Sequence, residues 1–281
     1  MMQLPANKVI VFNAAAGLVT VAALVAVART TLFAPETPPC GERYLNATMF
    51  PLQRGGVMLT AADLQAGLGG RDIGVIDNLA IAKRDGAPSP VAISVKLAKG
   101  AASAHSAVAP KGGVSFPWAP RSIQGKANAC LSYHVLLPAD FEFHRGGALP
   151  GITGGETGED GFQSQFVWRA NGKGGVTSRV RTGNETKAAV AERESFALPR
   201  GRWVKLEQEL VLNAPKKADG VLRVWVDGKL AFERSDMKYR LAGDVAISGV
   251  SVEAFYGGED AVSAAPKDAV VWMTPFELRW Q

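Results

Sequence analysis

Apolar and polar residues alternate in short runs over most of this chain, and the period is that of strands. Leu131, Tyr133, Val135 and Leu137 alternate with Ser132, His134 and Leu136. Phe162, Ser164, Phe166 and Trp168 alternate with Gln163, Gln165, Val167 and Arg169, and Val176, Ser178 and Val180 with Thr177, Arg179 and Arg181. In each run the first set makes the better core face. Further strands are expected over 91–97, 203–212, 221–226, 245–255 and 270–280. Asp227-Gly228 follows 221–226 and precedes KLAFE, which is a hairpin signal. A short helix is expected over 60–67, with Thr60 as its N-cap. Helical periods are nearly absent afterwards. Short strands separated by turns predict an all-β sandwich. Between the first two runs lies GGALPGITGG, 146–155. Its glycines adopt positive φ freely and let a ligand approach the backbone, so this stretch is read as a loop rimming a binding groove.

The N-terminus breaks the pattern. Residues 9–28 carry no charge and are long enough to span a bilayer as a helix. Lys8 precedes the run and Arg29 follows it, while Ala26-Val27-Ala28 resembles a cleavage site. Two readings stay open, a membrane anchor and a signal peptide, and both place the rest of the chain outside the cytoplasm. The expected organisation is therefore an anchor or signal over 1–29, a Pro-rich linker over 30–45, and a β-domain over 46–281.

Composition narrows the function classes. The 281 residues include 31 Lys and Arg against 26 Asp and Glu, a formal charge of +5. No dense basic run is present, so nucleic acid is not expected as a partner. The two cysteines, Cys40 and Cys130, cannot build a metal site by spacing. They are read either as a disulfide clipping the N-terminal segment to a strand or as two buried thiols. No metal ligand spacing, phosphate loop or nucleophile motif occurs, and no cofactor is expected.

If the strands at 131–137, 162–169 and 176–181 are neighbours, one face of their sheet carries His134, Gln163, Gln165, Arg169, Thr177, Arg179 and Arg181. Such a face is either an ordinary solvated sheet surface or a cationic, hydrogen-bonding platform for a ligand.

Several motifs follow one another in a set order: LPADFEF, the stretch GGALPG, GF with WR five residues on, GRWVKLEQEL, ADGVLRVWVDG and a late FYGG. From Ala129 onward this series resembles family 14 of the polysaccharide lyases, whose members cleave alginate and related polyuronates. The resemblance implies a lectin-like, concanavalin A-like β-jelly roll with an acidic polysaccharide lying across its concave sheet. It also exposes a departure. Where the family carries lysine in the glycine-rich stretch, this chain has Ala148. Where it carries serine and arginine after GF, this chain has Gln163 and Gln165. Where it carries two tyrosines, this chain has Thr177 and Arg179.

β-Elimination from a uronic acid removes the C5 proton, so it needs a base, cations or donors for the developing charge, and an acid for the leaving oxygen. Glutamine and threonine bind sugar hydroxyls but do not titrate. Arg169, Arg179 and Arg181 can grip carboxylates. His134 is the candidate base, and Glu253, before FYGG, is a candidate for the same groove. His144 and Arg145 are candidates for its rim. His105 is read as a solvated loop residue, and Glu156, Glu159 and Asp160 as a solvated acidic loop. Three functions are carried forward: a polyuronate lyase with a rearranged site, a non-catalytic glycan-binding module, and a structural envelope protein.

Overall fold

The structure, a computed structural model, describes residues 20–21, 37–155, 160–182, 185–241 and 243–281, with backbone only for 182 and 185–195. A compact unit spans Pro38–Gln281. The expected membrane segment at 9–28 lies outside the described residues, Thr20 and Val21 excepted. Among the described residues no helix is long and apolar enough to cross a membrane.

The unit is a two-sheet β-sandwich. Its strands are, in chain order, β1 (Asn46–Met49), β2 (Gln53–Arg54), β3 (Val57–Met58), β4 (Leu79–Ala82), β5 (Ala92–Leu97), β6 (Val114–Trp118), β7 (Asn128–Leu136), β8 (Gly147–Gly155) and β9 (Gly161–Trp168). They continue as β10 (Lys173–Thr182), β11 (Glu185–Ala197), β12 (Trp203–Val211), β13 (Gly220–Val226), β14 (Lys229–Met237), β15 (Ile247–Tyr256), β16 (Ala269–Met273) and β17 (Glu277–Trp280). A nine-stranded sheet runs β14-β13-β12-β7-β16-β5-β4, with β17 joining β7 to β1. A six-stranded sheet runs β11-β10-β9-β8-β15-β6. The expected helix is α2 (Ala61–Leu68), and Thr60 does cap it: its hydroxyl accepts from Asp63 N while Asp63 Oδ2 accepts from Thr60 N, a reciprocal capping box.

Alternation decides which side chains fill the space between the sheets. Leu131, Tyr133 and Val135 of β7 face Phe162, Phe166 and Trp168 of β9, all buried. Tyr133 and Phe166 meet edge to face with centroids 6.0 Å apart. One polar bridge crosses this core. Gln208 Nε2 donates to Ser164 Oγ at 2.8 Å, Ser164 and Ser178 share a bond of 2.8 Å, and Ile152 N donates to Gln208 Oε1 at 3.3 Å. Each group thereby keeps a partner away from water.

Residues 38–45, expected as linker, belong to the body. α1 (Cys40–Arg43) lies on the outer face of the nine-stranded sheet, where Cys40 and Cys130 form a disulfide, so the thiol alternative is set aside. Arg43 and Arg223 both bond Glu209 Oε2, at 2.7 and 3.0 Å, and Tyr44 donates to Glu209 Oε1 at 2.6 Å.

The glycine-rich stretch is not a loop. Residues 147–155 form β8, an interior strand between β9 and β15. Its glycines serve close packing: a Cβ on Gly147 would stand 2.0 Å from the Trp168 ring, and one on Gly151 would stand 2.1 Å from Ser164 O.

Candidate functional site

The outer face of the six-stranded sheet holds the polar positions of four strands. On β9 and β10, Gln163 pairs with Arg179 and Gln165 with Thr177. On β15, Val250, Val252, Ala254 and Tyr256 are buried in the core, which turns Ser251, Glu253 and Phe255 outward. A groove of about 720 Å³ runs over this surface, lined by Arg71, Trp118, Gln124, Gln163, Arg179 and Arg181 among others. Trp118 pairs with Val250 and packs edge to face on Phe50, so its ring turns to the core side; Ser115 and Pro117 of β6 face the groove, and both β10 arginines are exposed. Arg169 closes one end of the polar row, donating to Thr177 Oγ1 at 3.3 Å.

Beside the groove sits a buried carboxylate. Glu253 is only 7% exposed, yet three donors converge on it. Gln163 Nε2 reaches Oε1 at 3.1 Å, Gln165 Nε2 reaches Oε2 at 3.0 Å, and Ser251 Oγ reaches Oε1 at 3.3 Å. His105 Nε2 stands 3.5 Å from Oε1. Burial by itself raises the Glu253 carboxyl, but the bonds from His105, Gln163 and Gln165 outweigh it and hold the group below its ordinary range. The same contact raises His105, against the opposing effects of partial burial and of Lys111 and Arg179. The sheet face thus carries an ionised carboxylate with an imidazole resting on it.

His105 was not legible as a site residue. It lies in a small-residue loop, and no spacing ties it to Glu253. The alternation of Ser251, Glu253 and Phe255 on β15 was the usable signal for the glutamate. Phe255 also packs with Ala104 and Ala148. The Ala148 methyl, where the resemblance implies a lysine, is buried and covered by the loop that carries His105.

Two expectations are corrected. The strand carrying His134, β7, belongs to the nine-stranded sheet, so His134 does not share a face with Gln163 and Arg179. It pairs with Lys205 of β12. Burial chiefly, with Lys205, lowers its pKa and favours the neutral ring. His144 also lies away from the groove lining, on an exposed turn, with Nε2 2.6 Å from Val262 O. Glu156 and Glu159 lie outside the described residues. Gln163, Gln165, Arg169, Thr177, Arg179 and Arg181 are brought onto one sheet face by β9 and β10.

Two sheets with a groove on one outer face define a sandwich of the jelly-roll type. The profile of the family Polysaccharide lyase 14 matches residues 87–276, and the chain belongs to that family. The fold is similar to that of a marine alginate lyase from Aplysia kurodai, with 20% identity, a TM-score of 0.65, and 85% of this chain and 99% of that one covered. It is similar to an alginate lyase from a Chlorella virus, with 18% identity, a TM-score of 0.64, and 83% and 99% covered. An endo-β-1,4-glucuronan lyase from the fungus Trichoderma reesei shares 9% identity at a TM-score of 0.55, with 72% and 87% covered. No curated protein matches the chain.

Proposed function

We propose that this protein acts outside the cytoplasm on an acidic polysaccharide built of uronic acids, binding it along the outer face of the six-stranded sheet and cleaving it by β-elimination. The observation that carries this reading is the groove itself, in which Arg71, Arg179 and Arg181 stand around Gln163 and Ser251. Guanidinium groups take carboxylates bidentately, and glutamine amides and serine hydroxyls take sugar hydroxyls. Family membership supports the substrate class, and the Cys40–Cys130 disulfide supports an oxidising compartment.

The test combines calorimetric binding with absorbance near 235 nm, where an unsaturated uronate absorbs. Polymannuronate, polyguluronate and polyglucuronate are compared with a neutral glucan. The reading expects tight binding of at least one polyuronate and a rise in absorbance. Arg179→Ala is expected to weaken the acidic polymer about tenfold or more, since a hydrogen bond to a charged group is worth about 1.5–3 kcal/mol, while leaving the neutral glucan unaffected. Equal losses on both would defeat charge recognition.

A second reading is favoured by one observation. Ala148, Thr177 and Arg179 stand where the family resemblance expects lysine and two tyrosines. A binding module that has lost catalysis would bind a polyuronate and give no absorbance change.

A further inference from the structure

The buried carboxylate and the loop above it remain to be explained. Glu253 is held by two amides and a hydroxyl on the outer face of the six-stranded sheet. A buried carboxylate is costly unless paired, and its pairing here includes a half-exposed imidazole. The imidazole is itself held in place. Ala102 N bonds Pro110 O at 2.8 Å, Ser103 N bonds Gly258 O at 3.2 Å, and Ser106 Oγ bonds Glu259 O at 2.8 Å. Ser103 Oγ accepts from His105 N at 3.1 Å. The His105 ring packs edge-on against Phe255, with centroids 5.8 Å apart. A loop whose residues 101–104 and 106 are buried, pinned on both sides of His105 to the segment after β15, fixes one titratable side chain at the groove's edge.

We propose that His105 is the proton-transferring group of this site and that Glu253 is the residue that orients it. The inference rests on the reading of the groove as a uronate site. With Nε2 directed at Glu253, the neutral ring carries its proton there and its lone pair on Nδ1, which bonds no described residue. Nδ1 takes the proton from C5 of the uronate. The C5–H electrons form the C4=C5 double bond, the C4–O4 bond breaks, and its electron pair leaves on the glycosidic oxygen. The imidazolium returns the proton to that oxygen, which regenerates the base and balances the step without a co-reactant. Arg179, near enough to oppose protonation of His105, meets the carboxylate as charge develops. The pair replaces the proton chemistry that Ala148 and Thr177 cannot supply.

Three charged groups face His105 and set its pH behaviour: Glu253 favours the imidazolium, whereas Lys111 and Arg179 disfavour it. Turnover by a neutral base then rises with pH as His105 loses its proton. Removing the carboxylate lowers the imidazole pKa, so the rise moves to lower pH.

The experiment uses the full chain with polymannuronate, polyguluronate and polyglucuronate, reading kcat from 235 nm absorbance and Kd from calorimetry. His105→Gln is expected to lower kcat by about a hundredfold or more, with Kd within about twofold and an unchanged Tm. Glu253→Gln is expected to lower kcat and shift the acid limb of the profile downward. Its amide keeps the site filled, and His105→Gln is the control should it fold poorly. Wild-type turnover retained in His105→Gln overturns the proposal, as does a wild type that binds a polyuronate and yields no 235 nm product. Failure of the wild type to bind any of the three polymers overturns the reading of the groove instead, and this inference with it.

Discussion

A single methyl group is enough to test why β8 is so rich in glycine. A Cβ on Gly151 would lie 2.2 Å from Gln165 Cα and 2.1 Å from Ser164 O, both backbone atoms with no freedom to swing aside. Gly151→Ala is therefore expected to destabilise by at least about 2 kcal/mol, as overpacking does, and to spread β8 from β9 at the level of Gln165. Denaturant titration would show the loss. Normal stability would mean the strands part at no cost. The same residues show where sequence reading succeeds and fails. Alternation sorted Phe162, Ser164 and Phe166 inward and Gln163 and Gln165 outward, because a strand has period two whatever its surroundings. It could not recognise β8, because glycine has no side chain to alternate. The run that looked like a flexible rim is the central floor of the face.

At the scale of elements, α1 is a four-residue helix, too short to hold itself. Its position depends on the Cys40–Cys130 bond and on Glu209. The disulfide spans a separation of 90 residues. Closing a loop of that order removes up to about 4.7 kcal/mol of unfolded-state entropy in the chain-entropy treatment. Cys40→Ser with Cys130→Ser is expected to lower stability by about 2–4 kcal/mol, measurable as a drop in Tm, while polyuronate binding on the other sheet stays intact. Loss of binding would show that the sheets are coupled. Both cysteines were visible in the sequence, but their distance was not, so pairing stayed open. The capping box at Thr60 was half legible: the cap was read from its residue type, while Asp63 as its reciprocal partner needed the structure.

For the whole molecule, the division of strands between sheets is what the sequence withheld. Three neighbouring runs suggested one sheet, yet β7 pairs with β12 and β17 while β9 and β10 pair with each other. Sheet membership is set by long-range pairing, to which local alternation is blind. His134 falls outside the groove for that reason, whereas His105 lies in a loop that alternation does not reach. Two of the buried carboxylates, Glu209 and Glu253, also give the molecule a pH signature. Burial raises both Glu209 and Glu253, but their donors prevail and both lie below the ordinary 4.5 in the folded state. A depressed carboxyl stabilises the fold fully above its unfolded value and loses that contribution as pH falls through the folded one. Thermal stability attributable to these groups is expected to be level above about pH 5 and to fall below 4.5. Glu209→Gln should flatten that decline, and an unchanged slope would remove Glu209 from the account.

The clip at Cys40 and the groove lie on opposite outer faces of the sandwich. Copies laid side by side on a support by the face that carries the clip would turn their arginines away from it. One long polyanion could then rest on many copies at once. Retention on such a layer would grow steeply with chain length even where each contact is weak, because every engagement after the first is intramolecular.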